Sequence, residues 1–245
     1  MKKPEGFKLV DGKGKRIDGR GLDETRPIRM EVGLLSRADG SAKVGFGNTV
    51  AVAAVFGPRA LFPRHLQEVE ECIIRTRYNM APFSTESRKS PGTDRRSIEI
   101  SKVLRHAIEA TVFLEEFPRA TIDVYMEIIS SDGSTRCTAL NAASLALALA
   151  GVPMRDLIAS CTGGKIDGKL AIDLNGKEDN YGEADVAFAM LPTKREIVLL
   201  QMDGELTKEE FMTLLTKMAD KCNKIRDMQV KTIKEYYKKI GGELE

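Results

Sequence analysis

The chain has 245 residues, 42% apolar and 30% charged, with a net charge of +2. That length can bury a core as one large domain or two small ones, and the near-neutral balance excludes polyanion binding through overall charge. Its four cysteines, Cys72, Cys137, Cys161 and Cys222, form no C-x-x-C pair, which argues against zinc and against a disulfide framework. Residues 1–17 are rich in Lys and Gly and read as a loosely held arm with no apolar signal run. Strands are expected near 26–35, 41–47 and 49–56, with Gly47-Asn48 turning between the last two. A Pro/Arg loop at 57–67 precedes a strand at 69–79, and the polar run 81–92 reads as a mobile loop. Apolar residues at Ile100, Val103, Leu104, Ala107, Ile108 and Val112 then mark one face of a helix, with Thr93 or Asp94 as its N-cap.

Alternation of Ile122, Val124, Met126 and Ile128 marks a strand at 120–130. The small apolar residues from Ala139 to Ala150, closed by Gly151 and Pro153, read as a helix. This most apolar stretch is too short to span a bilayer, so the expectation is a cytoplasmic protein with no membrane contact. Short strands follow near 158–166, 169–174, 185–191 and 196–203, with Asp203-Gly204 breaking the last. Thr207-Lys-Glu-Glu210 is a capping box for a long closing helix, in which Phe211, Leu214, Leu215, Met218 and Cys222 fall at core spacing. The pattern describes an α+β fold of two β-α-β-type lobes, covering 18–151 and 152–245.

Acidic groups concentrate in the thirteen residues from Asp173 to Asp185, which include Glu178, Asp179, Glu183 and Asp185. Carboxylates this crowded repel one another unless a cation, an arginine or a shared proton offsets them. Asp179, at the end of a turn, and Asp185, at the mouth of a strand, are placed to face one metal ion or one reacting oxygen. A solvated acidic turn between strands has the same composition, but two other segments favour a site. Arg95 and Arg96 occupy the first turn of a helix, where the dipole disfavours each cation by about 0.3–1 kcal/mol. The free N–H groups there suit an anion. Ser130-Ser-Asp-Gly-Ser-Thr-Arg136 is a strand-to-helix turn with backbone amides, two hydroxyls and an arginine at a second helix start. Two anion-binding helix starts and a carboxylate pair together describe a phosphoryl-transfer site. Between Arg75 and Arg105 there are eight Lys/Arg against three acids, so the chain's positive charge is local. His106 falls in mid-helix, where a structural role is expected, and His65 lies on a loop. Neither pairs with a Ser or Cys nucleophile, so a covalent triad is not supported.

Asp132-Gly-Ser-Thr-Arg136, Arg95-Arg96 and Asp173-Leu-Asn-x-x-Glu-Asp179-x-x-Gly-Glu-Ala-Asp185 resemble the three signatures of the RNase PH family of phosphorolytic 3′→5′ exoribonucleases. The likeness runs from Arg16-Ile-Asp-Gly-Arg20 to the last helix. Pro63-Arg-His-Leu66, Tyr78-Asn-Met-Ala-Pro-Phe83 and Gly151-Val-Pro-Met-Arg-Asp156 are most similar to the catalytic branch of the archaeal exosome. The turn reads Gly-Ser-Thr-Arg where relatives often show Gly-Gly-Thr-Arg, and the hydroxyl and arginine are kept. The resemblance implies an RNase PH-like fold and phosphorolysis of RNA 3′ ends. It further implies that Arg96 and Gly133, Ser134 and Thr135 bind inorganic phosphate, and that Arg64, Lys89, Arg95 and Arg136 meet the RNA backbone. Asp179 and Asp185 would hold Mg²⁺ or Mn²⁺, or Asp185 would protonate the leaving 3′ oxygen; both roles stay open. The implied partners are RNA, an inactive RNase PH-like subunit alternating in a hexameric ring, and RNA-binding cap subunits. A self-sufficient enzyme trimming tRNA 3′ ends and a non-catalytic ring subunit are the competing possibilities.

Overall fold

A computed structural model describes residues 6–12 and 14–242. Strands β1 (Ile28–Val32), β2 (Gly40–Phe46) and β3 (Thr49–Ala60) form an antiparallel meander. Beside β3 lies β5 (Ala120–Ser130), and β4 (Ile73–Met80) is added at the edge, parallel to β5. Parallel neighbours cannot be joined by a tight turn, and the connection from β4 to β5 carries α1 (Arg95–Glu109). The first sheet therefore has the order β1-β2-β3-β5-β4. Its inward face alternates as the sequence does, with Ile122, Val124, Met126 and Ile128 of β5 all buried.

Helix α2 (Thr135–Leu149) leaves β5 and leads into the second sheet. That sheet is antiparallel throughout, built from β6 (Ala159–Ile166), β7 (Lys169–Ile172), β8 (Ala184–Leu191) and β9 (Glu196–Gly204) in the order β7-β6-β8-β9. A short helix, α3 (Gly176–Tyr181), joins β7 to β8, and α4 (Lys208–Gly242) closes the chain. Apart from Arg136, helix α2 is buried from Thr135 to Leu147 because it packs on β2, β3 and β5 on one side and on β6 and β8 on the other. A helix with no polar stripe has to be covered all round, and its small Ala and Ser side chains let both sheets come close. Its one buried amide, Asn141, is satisfied by the backbone of Ser160 in β6, at 2.7 and 3.0 Å.

Thr207 and Glu210 cap α4 reciprocally, with bonds of 2.9 and 3.2 Å. Leu214, Met218, Cys222 and Ile225 then line its buried face. The cysteines are all buried and free, with the Cys161 and Cys222 sulfurs 3.8 Å apart. Among the described residues no helix is long and apolar enough to cross a membrane.

Three expectations change. The arm is not loosely held where it is described: Leu9 and Val10 are buried, their N–H groups donate to Asp167 Oδ2, and Arg16 is 3% exposed. Residues 1–5 and 13 of that arm lie outside the described residues. The supposed turn after Asp173 contains α3, because Asn175 accepts from the N–H groups of Lys177 and Glu178 while Glu178 reaches back to the Asn175 N–H. Strand β9 runs through both Asp203 and Gly204, and the break comes after them.

Candidate active site

The acidic stretch divides into two kinds of carboxylate. Asp173 and Glu178 are buried and already neutralised. The Arg26 guanidinium grips Asp173 at 2.6 and 3.0 Å, and Arg20 adds a longer contact at 3.3 Å. Arg16 holds Glu178 through two bonds and also donates to the Ile172 and Asp173 carbonyls. Glu183 is exposed, accepts from the Gly168 N–H and forms an ion pair with Lys165 at 3.7 Å. Asp179 and Asp185 are left, and among the described residues neither side chain has an ion-pair or hydrogen-bond partner. Asp179 stands in α3 just after the arginine-held Glu178, and Asp185 stands at the start of β8.

The second helix start is welded to this stretch. Asp132 Oδ1 accepts from the Gly176 N–H at 2.9 Å, and Arg26 donates to the Asp132 carbonyl. Gly133, with φ +73°, packs so closely that a Cβ would lie 2.7 Å from the Leu174 carbonyl and the Asn175 backbone. Only glycine fits this approach. Ser134 is the left-handed N-cap of α2, and its hydroxyl turns inward to Thr162 at 2.5 Å and to the Leu174 carbonyl at 2.9 Å. The turn therefore offers an anion the Thr135 hydroxyl and the Ser134 N–H, not the Ser134 hydroxyl that the sequence suggested. The N–H groups of Ser134, Thr135 and Arg136 meet no acceptor among the described residues.

At the start of α1, Asp94 caps Ser97 at 2.7 Å and pairs with Lys89 at 3.0 Å, contacts that hold its carboxyl well below the usual range. Arg95 and Arg96 are exposed and form no ion pair among the described residues. Arg96 and Arg136 instead act on the two free aspartates. Burial raises the Asp185 carboxyl to about 6, Asp179 and Asp203 push it the same way, and Arg136 and Arg96 pull it back. Asp179 is raised too, by surrounding protein first and Asp203 last, against Arg96, Arg136 and Arg26. Its side chain is exposed, and water limits the rise.

Arg64 lies apart, on an exposed 3-10 turn (Arg64–Leu66), and is not among the charges acting most on these aspartates. Lys89 is committed in part to Asp94. Two residues of β9 join the site unforeseen. Asp203 is the direct cross-strand neighbour of Asp185, and Gln201 links Arg136 to Glu99 of α1. The signal was present: Gln201 and Asp203 alternate on the strand next to β8, but Asp203-Gly204 reads in sequence only as a strand end. Among the described residues no group of three or more His, Cys, Asp or Glu is arranged to hold a metal ion. Asp179 and Asp185 supply two oxygen donors without other partners, which fits an ion that takes its remaining ligands from phosphate oxygens and water.

A pair of unpaired aspartates under the influence of arginines at two helix starts is an arrangement chemically suited to phosphoryl transfer on an anionic substrate. Models of the 3′ exoribonuclease family match the chain over residues 24–153 for domain 1 and 156–220 for domain 2. The chain belongs to this family, the RNase PH family. It is 55% identical over its whole length to exosome complex component Rrp41 of Thermococcus kodakarensis, covering 98% of that protein. Against the protein of the same name from Thermoplasma volcanium it is 45% identical, over 97% of this chain and 96% of the other. Two solved structures share the fold. Rice Rrp46 gives a TM-score of 0.79 at 23% identity, over 89% of this chain and 99% of that one. A chain of the Archaeoglobus fulgidus exosome with RNA bound to the active site gives 0.77 at 24%, over 88% and 93%.

Proposed function

We propose that this chain is the catalytic subunit of an archaeal-type exosome ring, a phosphorolytic 3′→5′ exoribonuclease releasing nucleoside 5′-diphosphates from RNA. The observation that carries it is the sorting of the acidic stretch: Asp173 and Glu178 are bound by arginines, while Asp179 and Asp185 face Arg96 and Arg136 unpaired. Relatives at this identity named as exosome components support the assignment. On this reading 18–151 and 152–245 are the two RNase PH-like domains of one cytoplasmic subunit.

In phosphorolysis an oxygen of inorganic phosphate bonds to the phosphorus of the terminal nucleotide. The bond from that phosphorus to the neighbouring 3′ oxygen breaks, and the released 3′ oxygen takes up a proton. Two anions must meet, so the site has to offset their repulsion with guanidinium groups and fixed N–H dipoles. Arg96, the Gly133–Thr135 backbone and the Thr135 hydroxyl hold the attacking phosphate. Arg64, Arg95 and Arg136 hold the RNA backbone, Lys89 contributing less because Asp94 already offsets its charge. Asp185, whose carboxyl titrates near 6, can carry a proton to the leaving oxygen at mildly acidic pH. In the alternative role Asp185 is ionised and, with Asp179, would hold Mg²⁺ or Mn²⁺, which when bound neutralises charge on the phosphate oxygens. Contacts to phosphates and sugars alone give no base preference. Run in reverse, the same site adds nucleotides from diphosphates to a 3′ end.

The test is one incubation of 3′-tailed RNA with Mg²⁺, with and without inorganic phosphate. Nucleoside diphosphates formed only with phosphate support the proposal, whereas monophosphates formed without it overturn it. The division among arginines predicts different losses. Arg96→Ala should raise the half-saturating phosphate concentration with little change in RNA affinity. Arg64→Ala should weaken RNA and lower its salt slope by roughly one counterion. Equal shifts of phosphate and RNA in both variants would refute that division.

Assembly gives another expectation. The site has few further cations to grip several nucleotides, so a related inactive subunit alternating in a hexamer, with cap subunits above it, would complete the RNA track. The purified chain alone should bind RNA weakly and degrade it little, and adding that subunit should restore processive shortening. A fully active homohexamer, seen by mass measurement with an activity assay, would favour a self-sufficient enzyme.

A further inference from the structure

Tyr78 lies on the inward face of β4, opposite Met126 of β5, and is 1% exposed. Its backbone N–H donates to Ser101 Oγ at 2.9 Å, and Ser101 donates in turn to the Ser97 carbonyl in the first turn of α1 at 2.6 Å. The residue is therefore fixed against the helix that carries Arg96. Its hydroxyl is shielded from solvent; the Thr135 side chain stands close enough to act on it, but among the described residues no group meets it in full hydrogen-bond geometry. Leaving a buried hydroxyl unpaired is unfavourable, and phenylalanine would fill the same space without that cost. Burial accordingly raises the phenol, and the groups that offset it most are the Thr135 side chain, then Arg96 and Arg136. The unpaired hydroxyl thus looks toward the anion-binding turn from inside the protein.

We infer that Tyr78 is a positioning residue for the attacking phosphate, acting through the Thr135 hydroxyl. With the anion in place, the Tyr78 O–H donates to Thr135 Oγ1, and the Thr135 O–H donates to a phosphate oxygen. No proton is transferred. The chain of donors runs one way when it ends on an unprotonated phosphate oxygen, which can only accept, and each bond polarises the next. Donors buried behind the turn hold the Thr135 hydroxyl toward the anion, so less ordering is left to binding. This deepens the phosphorolytic assignment above and rests on it.

The test uses Tyr78→Phe in the assembled complex. The half-saturating phosphate concentration should rise about 3- to 10-fold, the scale of one hydrogen bond. The kcat should fall far less and RNA affinity should stay level. The melting temperature without phosphate should hold or rise, since an unpaired buried hydroxyl has been removed. Inorganic phosphate should protect the variant less than the wild type in a thermal melt, a readout independent of turnover. Added to Thr135→Val, the Tyr78 change should cost nothing more, because it acts through Thr135. Unchanged phosphate saturation and protection in Tyr78→Phe, with Arg96→Ala still impaired for phosphate, would overturn the role of Tyr78 and leave the phosphorolytic assignment intact. A variant that melts lower and loses kcat and RNA affinity together would show a merely structural tyrosine. Degradation that proceeds without phosphate would remove the assignment itself.

Discussion

Asp179→Asn and Asp185→Asn should each reduce phosphorolysis by at least ~100-fold while leaving RNA affinity near that of the wild type. The reason lies in how the acidic stretch is sorted. Neither aspartate has a structural partner to lose, so removing its charge takes nothing from the fold and much from the chemistry. The same logic predicts a stability effect of opposite sign. Burial and its acidic neighbours raise the Asp185 carboxyl to about 6 in the folded chain from its ordinary 3.8, so the unfolded chain releases its proton first. A raised carboxyl costs folding stability as pH climbs through that window, and the full cost is present above it. Asp185→Asn should therefore be the more stable protein above pH ~7, by about 1 kcal/mol once the partial exposure of the group is discounted, and should match the wild type below pH ~4. Mg²⁺ should raise the melting temperature of the wild type but not of the double variant. Near-normal rates in both single variants would reject the site, and a less stable Asp185→Asn at pH 8 would reject the account of its environment.

Much of this site was legible because its signals are local. A helix start announces itself by a cap and a period, and Asp94 with Ile100, Leu104 and Ile108 supplied both. The Gly133–Thr135 turn stood out between an alternating strand and a run of small residues. Composition could not say which carboxylates were free. Asp173, Glu178, Asp179 and Asp185 are alike in sequence, and only the fold brings Arg16, Arg20 and Arg26 from far away in the chain to two of them. The same limit hid Asp203 and Gln201, whose relevance depends on β9 lying beside β8. It also misplaced the arm, because Lys and Gly are counted as loose until an arginine among them is seen to be buried against a glutamate. The Ser134 hydroxyl was misread for a related reason. A left-handed cap residue points its side chain differently from an ordinary N-cap, and residue type alone does not disclose φ.

The buried arginine makes the most severe stability prediction. Arg16 and Glu178 have fully buried side chains, and the guanidinium serves Glu178 together with the carbonyls of Ile172 and Asp173. Glu178 in turn closes the capping box of α3, the short helix that presents Asp179. Arg16→Ala would leave the buried Glu178 carboxylate with only the Arg20 guanidinium at 3.7 Å to offset its charge and take the arginine donor from the Ile172 carbonyl, while the Asp173 carbonyl keeps Arg20 at 3.1 Å. The change is expected to cost about 3–5 kcal/mol. A lone helix of six residues has no stability of its own. Asp179 should therefore lose its placement along with the cap, and phosphorolysis should fall even at temperatures where the chain is still folded. The double variant Arg16→Met with Glu178→Met removes both charges and should recover much of the melting temperature, since a buried ion pair is often replaced by apolar side chains at little net cost. It should not recover activity, because the Asn175 N–H loses its acceptor and α3 its closure. Chemical denaturation of the three proteins, read beside phosphate-dependent turnover, decides the matter. If Arg16→Ala unfolds with the wild-type midpoint and turns over normally, the arm is only an appendage to the site.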